Sequence, residues 1–174
     1  MNLILQEAAG CPNLLSPAVY HNILKLNDKR IMAAQIDPEY ADGLLLHEKY
    51  ATPLEAELNC LIIEGKRNDI SSYAAVLLPY GRKMNTNSIL RQAMGAKKVS
   101  FAPLDYVLEN TDMEYGSISP LGIPENWKLL IAEEVFAVEN IIIGGGLVIS
   151  KVFMPSALLK DLDNVEILQG LIKE

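Results

Sequence analysis

The sequence predicts one α/β domain of the α+β kind, in which a mixed, mostly antiparallel sheet curls toward a barrel with helices at its periphery. Three observations carry this expectation. The 174 residues, half of them hydrophobic, supply one sizeable core and too little chain for a second. Several apolar runs follow one another with no helical segment between them, unlike the strand-helix alternation of a doubly wound parallel sheet. Helical spacing is confined to short segments that open on capping residues and close on Asn, Gly or Pro.

Ser16-Pro17 is an N-cap and N1 pair, and Val19, Ile23, Leu24 and Leu26 keep helical spacing as far as Asn27. Ile31 to Ile36 reads as a strand closed by Asp37-Pro38, and Tyr40 to Tyr50 as a helix stopped before Pro53. This helix-strand-helix region, 16–53, precedes a core expected over about 58–174. Leu58 to Ile63 and Tyr73 to Leu78 are apolar runs on either side of the polar Glu64 to Asp69, which predicts an antiparallel hairpin with a long connection. Asn87 or Ser88 caps a helix running through Met94 and ending at Gly95, and Lys98 to Phe101 follows as a strand. Pro103 to Asn110 reads as a helix with Leu104, Val107 and Leu108 inward. Trp127 to Ala132, Asn140 to Ile143, Lys151 to Met154 and Val165 to Leu168 read as strands, and Ser156 to Leu162 as a helix capped by Ser156.

Composition narrows the function classes. A net charge of −7 argues against a protein that coats nucleic acid through its overall field. Charge is unevenly spread, however. Ile70 to Leu104 contains no Asp or Glu, while Arg82, Lys83, Arg91, Lys97 and Lys98 give it +5. The first residues lack the basic region and cleavage site of a signal peptide, and no apolar run reaches the length of a membrane span, so a cytoplasmic location is expected. Cys11 and Cys60 form no CxxC pair, and His47-Glu48-Lys49-Tyr50-Ala51 lacks the second histidine of a zinc helix, so neither a metal nor another cofactor is expected. His21 falls within a helix and reads as structural, as does the mid-strand thiol of Cys60.

The chemistry concentrates in Gly116-Ser117-Ile118-Ser119-Pro120-Leu121-Gly122. Holding a developing negative charge takes backbone N–H groups turned inward, which calls for glycine at unusual dihedrals and a rigid residue to fix the turn. Gly116 and Pro120 supply both, leaving the amides of Ser117, Ile118 and Ser119 as candidate donors; an ordinary tight turn has the same composition. A second cluster, Gly144-Gly145-Gly146, follows the apolar Ile141-Ile142-Ile143, where a strand end lets a ligand or another backbone come close, or where a sheet bulges or turns a corner. Its spacing is not that of a nucleotide-binding loop.

Taken in order, Met94-Gly95-Ala96-Lys97-Lys98-Val99, the Gly116 to Gly122 loop, Ile143-Gly144-Gly145-Gly146 and Lys151-Val152-Phe153-Met154-Pro155 resemble the YbaK-like family. These are aminoacyl-tRNA deacylase domains related to the editing insertion of prolyl-tRNA synthetases. The resemblance covers roughly residues 58–160. It implies metal-free hydrolysis of an amino acid mischarged on tRNA, with the loop amides of Gly116, Ser117, Ile118 and Ser119 holding the ester carbonyl. It also implies a pocket that takes in Asn59, Cys60, Pro120 and Gly144 to Gly146. Glu114, entering the loop, reads either as a carboxylate that meets a substrate α-amino group or a water in that pocket, or as a solvated surface residue. The basic residues Arg82, Lys83, Arg91, Lys97 and Lys98 then read as a tRNA-facing surface, or else as a solvated helix face, and an aminoacyl-tRNA synthetase is a further candidate partner. Asn59 stands where the family carries a strand lysine, and Ala132 where it carries an aspartate. Two readings follow: a freestanding deacylase, or a catalytically inactive relative that binds an amino acid, an aminoacyl-adenosine or tRNA. A module that only contacts a partner protein is a third.

Overall fold

The computed structural model describes residues 1–86 and 88–173. Its elements are β1 (Gln6–Glu7), α1 (Pro17–Leu26), β2 (Met32–Gln35), α2 (Gly43–Tyr50), β3 (Leu58–Arg67), β4 (Ile70–Pro79), α3 (Ile89–Ala93), β5 (Lys98–Phe101), α4 (Leu104–Thr111), β6 (Lys128–Ala132), β7 (Asn140–Gly144), β8 (Ser150–Pro155) and β9 (Val165–Leu168). The strands form two sheets, β1-β2-β8-β7 and β5-β3-β4-β6-β9. Pairing is antiparallel except for β4 with β6 and β6 with β9. The mixed, mostly antiparallel arrangement matches the expectation; among the described residues the sheets do not close into a barrel, and a parallel bridge between Glu57 and Ile142 links them.

The central hairpin is longer and tighter than its hydrophobic pattern suggests. Ten residues of β3 pair with ten of β4 down to Arg67 opposite Ile70. The loop is therefore only Asn68-Asp69, both at positive φ (51° and 63°), the geometry of a two-residue type I′ turn. The apolar signal stops early because Lys66, Arg67 and Ile70 to Ser72 are solvent-exposed, so no core imposes alternation there.

The main core packs strands of both sheets and α1 around Trp127, Leu77, Leu78, Ile131, Ile143 and Ile23. A second cluster, including Ala34, Ile36, Leu46, Ile142 and Phe153, lies under α2. This explains the unbroken Ile141-Ile142-Ile143 run: alternate residues face different apolar layers, so neither face of β7 needs polar side chains. Helix ends follow the sequence, with α1 closing on Asn27 at φ 49° and α3 followed by Gly95 at φ 60°. Ser16 precedes Pro17 as expected but makes no side-chain capping bond. Asn87, the alternative cap of α3, lies outside the described residues. Residues Ser156–Asp161 form a 3-10 helix rather than an α-helix, entered from Pro155 and without a Ser156 cap. Leu104, expected to face inward, is exposed, as is Leu24 on α1.

Candidate functional site

The bridge between Glu57 and Ile142 sets the start of β3 beside the end of β7 and so brings distant sequence together. A cavity of about 360 Å³ opens at this seam. Its walls come from four stretches: Ala41 to Gly43, Glu57 to Leu61, the turn at Tyr115, Gly116 and Ile118, and Gly144 with Lys151.

The Gly116 loop is strapped to the segment after β7. Glu114 N–H donates to Gly146 O (2.8 Å) and Gly146 N–H to Ser117 O (2.9 Å). Ser117 Oγ donates to Leu147 O (2.9 Å), and Val148 N–H donates to Glu114 Oε2 (2.6 Å). The loop crosses Gly144 so closely that a Cβ there would lie 2.6 Å from Ser117 O and 3.0 Å from Ile118 O. Any other residue at this position would push the loop away, which is why glycine stands here.

The strapping decides which loop amides remain available. Ser117 N–H donates to Glu114 O (3.0 Å) and Ser119 N–H to Met113 Sδ (3.3 Å). Among the described residues, the amides of Gly116 and Ile118 have no such partner, and these two residues line the cavity. The candidate donors are thus Gly116 and Ile118, whereas Ser117 and Ser119 hold the loop together. Ser119 is fully buried, with its Oγ accepting from Leu121 N–H (3.2 Å). Pro120 is turned away from this cavity and lines a separate hollow of about 90 Å³ with His21, Gly122 and Trp127. Packing forces that direction, because Gly122 lies directly on α1, where a Cβ would come within 2.6 Å of Ala18.

Asn59 and Cys60 line the cavity. Burial pushes the Cys60 thiol up to about 12, so it is not a thiolate at neutral pH. Glu114 does not line the cavity: it is exposed and its carboxylate is committed to Val148 N–H. Of the three glycines, Gly144 alone lines the cavity, while Gly145 takes Ser16 N–H on its carbonyl (3.0 Å) and Gly146 carries the strap. Ala132 is fully buried in the main core, away from the lining residues.

Three lining residues carry charge: Asp42, Glu57 and Lys151. Lys151 sits mid-sheet between Ala34 on β2 and Gly144 on β7, two small neighbours that leave room for its stem. Its Nζ donates to Glu57 Oε1. The two side chains are 6% and 3% exposed. Glu57 Oε2 has no hydrogen-bond partner among the described residues. Burial raises the Glu57 pKa, and the attraction of Lys151 works against that rise. Asp42 Oδ1 caps α2 by accepting from Leu44 N–H (3.1 Å) and also accepts from Tyr80 OH (2.8 Å). Tyr115, 73% exposed, stands at the rim. Sequence reading assigned no role to Glu57 or Tyr115; the available signal was a charged residue, Lys151, inside the apolar Val-Phe-Met strand.

The basic residues do not form one surface. Arg82 follows β4 at the cavity end of the hairpin, its N–H donating to Pro79 O (3.2 Å), and Lys83 is next to it. Lys97 and Lys98 lie at the opposite end, where Lys98 pairs with Lys66 and Lys97 N–H donates to Lys66 O (2.9 Å). There Arg67, Arg91 and Lys97 line a second, open cavity of about 510 Å³. Asn59 and Arg67 are eight residues apart on β3, about 27 Å at the rise of an extended strand. Among the described residues no three His, Cys, Asp or Glu side chains gather as a metal site would require, and no helix is long and apolar enough to cross a membrane.

Comparison with known proteins agrees with the fold. One similar solved structure is a proposed trans-editing enzyme for prolyl tRNA synthetase (TM-score 0.76, 13% identity, covering 92% of this chain and 99% of that one). A scaffold protein used for computational grafting of linear epitopes gives the same values. The hypothetical protein APE2540 follows at TM-score 0.67 and 17% identity, over 76% of this chain and 85% of that one. At these identities the likeness is one of fold. No curated protein matches the chain. The family model for the aminoacyl-tRNA editing domain matches residues 41–162, a span that holds every cavity-lining residue from Ala41 to Lys151, and the chain belongs to that family.

Proposed function

We propose that this protein hydrolyses mischarged aminoacyl-tRNA in trans, releasing free amino acid and intact tRNA. The observation that carries the reading is the convergence of Gly116 and Ile118, whose amides have no partner among the described residues, with Asn59 and Gly144 around one cavity. Two amides reaching the ester oxygen stabilise it as the carbonyl carbon becomes tetrahedral, and a single such donor is typically worth about 3 to 4 kcal/mol in the transition state. Water adds to the acyl carbon, the bond to the ribose oxygen breaks, and the water's proton passes to that leaving oxygen. A neighbouring ribose hydroxyl of the substrate is the natural relay. Cys60 is no nucleophile here, because burial keeps it protonated.

Tyr115 at the rim offers an exposed ring on which the terminal base stacks. Arg82 and Lys83 at the cavity end, with Arg67, Arg91 and Lys97 farther along the hairpin, provide phosphate contacts along the acceptor strand. The likeness to a proposed trans-editing enzyme for prolyl tRNA synthetase makes tRNA charged by that synthetase the first substrate to try. A panel of mischarged tRNAs incubated with micromolar protein tests the reading: it fails if none is deacylated faster than in buffer.

The inactive-relative reading rests on Asn59, which brings a hydrogen-bonding amide but no charge to the cavity. It predicts saturable binding of an aminoacyl-adenosine analogue without turnover. Ala132 lends it no support, since that residue is in the core.

A further inference from the structure

The cavity has a charge balance that an ester and its leaving alcohol do not use. Asp42 and Glu57 against Lys151 leave one unit of negative charge uncompensated when both acids are ionised. The two carboxylates also differ. Asp42 Oδ1 is occupied by Leu44 N–H and Tyr80 OH. Glu57 is 2% exposed, takes Lys151 on Oε1, and leaves Oε2 without a donor among the described residues. A carboxylate offers about four acceptor positions, and a buried oxygen with none filled costs free energy unless a ligand supplies the missing donor.

We propose that Glu57 Oε2 receives the α-ammonium group of the substrate's amino acid, with Lys151 as the positioning residue that orients the Glu57 carboxylate and Asp42 adding to the negative field. In an aminoacyl ester the α-nitrogen and the carbonyl carbon share the α-carbon, so an ammonium group held at Glu57 leaves the carbonyl oxygen free to reach the Gly116 and Ile118 amides on another wall of the same cavity. The cation-accepting role that the sequence suggests for Glu114 thus moves to Glu57. The site selects acyl groups that keep a free α-amine and rejects N-blocked ones, because an acetylated nitrogen carries no charge and brings bulk to a closed corner. This inference rests on the deacylation reading for the ester itself, but not for the ammonium contact.

Three non-hydrolysable probes, amide-linked alanyl-adenosine, its α-hydroxy analogue and its N-acetyl derivative, titrated calorimetrically into the full chain, test it. The free amine is expected to bind roughly tenfold or more tighter than the hydroxy analogue, as for a hydrogen bond to a charged group. The hydroxy analogue has nearly the size of the amine, so a merely snug pocket would hold both equally, and that result would overturn the proposal. In Glu57→Gln/Lys151→Met, which removes both charges together, the ratio is expected to fall to about one; retention of the wild-type ratio in a folded double variant would also overturn it. Discrimination without turnover of any mischarged tRNA would sustain the ammonium site and remove the hydrolytic reading. Turnover without discrimination would do the reverse.

Discussion

Lys151 Nζ donates to Glu57 Oε1 across the seam where the two sheets meet, pairing a residue of the last strand of the β7-β8 hairpin with the residue that precedes β3. The pair is almost wholly buried, and it lies in the wall of the cavity that also receives the Gly116 loop.

Breaking one side of this pair is expected to be costly. Lys151→Met leaves a buried carboxylate alone and should lower unfolding stability by about 3 to 5 kcal/mol at pH 7, whereas the double variant with Glu57→Gln should recover most of that loss. The pH dependence has a definite sign. The Glu57 pKa is raised in the folded protein above its ordinary value of 4.5, chiefly by burial. Its folded form therefore holds the proton more tightly than the unfolded chain, so this group's contribution is fully present below pH 4.5 and declines as pH rises through the folded pKa. Removing Lys151 takes away the opposing attraction, so denaturant titrations should show a smaller Lys151→Met penalty near pH 4 than at pH 7.

Gly144→Ala should impair the site more than the fold. Its Cβ would meet Ser117 O at 2.6 Å, so the loop carrying the Gly116 and Ile118 amides must move. A fall in turnover of about tenfold to a hundredfold is expected, since even ångström-scale misplacement is felt in the transition state. Gly10→Ala, where a Cβ meets nothing within 4 Å, is the matched control.

Cys60→Ser should keep turnover within about threefold, because the thiol is no nucleophile. With its thiol pushed up to about 12, Cys60 in the native protein should also alkylate slowly at neutral pH and much faster on unfolding. Loss of activity in a folded Cys60→Ser variant would point to covalent chemistry instead.

Tyr115→Ala should weaken tRNA binding by roughly 1 to 3 kcal/mol, the usual worth of one base stacked on an aromatic ring, while Tyr115→Phe should bind as the parent does. Equal losses in both variants would assign the effect to the hydroxyl rather than to the ring.

Charge removal at the far end of the hairpin, Arg67→Gln with Lys97→Gln, should weaken all tRNAs alike and reduce the salt dependence of binding by about one counterion for each phosphate no longer neutralised. Turnover at saturating tRNA should be unchanged, because these residues lie about 27 Å from Asn59 at the rise of an extended strand. A lower saturated rate would mean that the tRNA is docked in a different direction.

Local rules written in the sequence determined much of this protein. Ser16-Pro17 and Asn27 bounded α1, Gly95 closed α3, and the apolar runs located every strand from β3 to β9, because capping and periodicity act over a few residues. The ordered glycine motifs also pointed to the loop and to the end of β7 that line the cavity. Tertiary structure decided the rest. It carried β3 and β4 past their apolar stretch to an Asn68-Asp69 turn, because backbone pairing continues where no core demands a pattern. It spent the Ser117 and Ser119 amides on internal bonds and left those of Gly116 and Ile118 without a partner among the described residues, a distinction that depends on the strap to Gly146 and Val148. It divided the basic stretch between two ends of one hairpin. Above all, it brought Glu57 and Lys151, 94 positions apart in the chain, into one buried pair. Nothing local marks such a pair, because the bridge from Glu57 to Ile142 on β7 that links the sheets is a long-range contact, and only the pairing it brings about makes either charge tolerable in the interior.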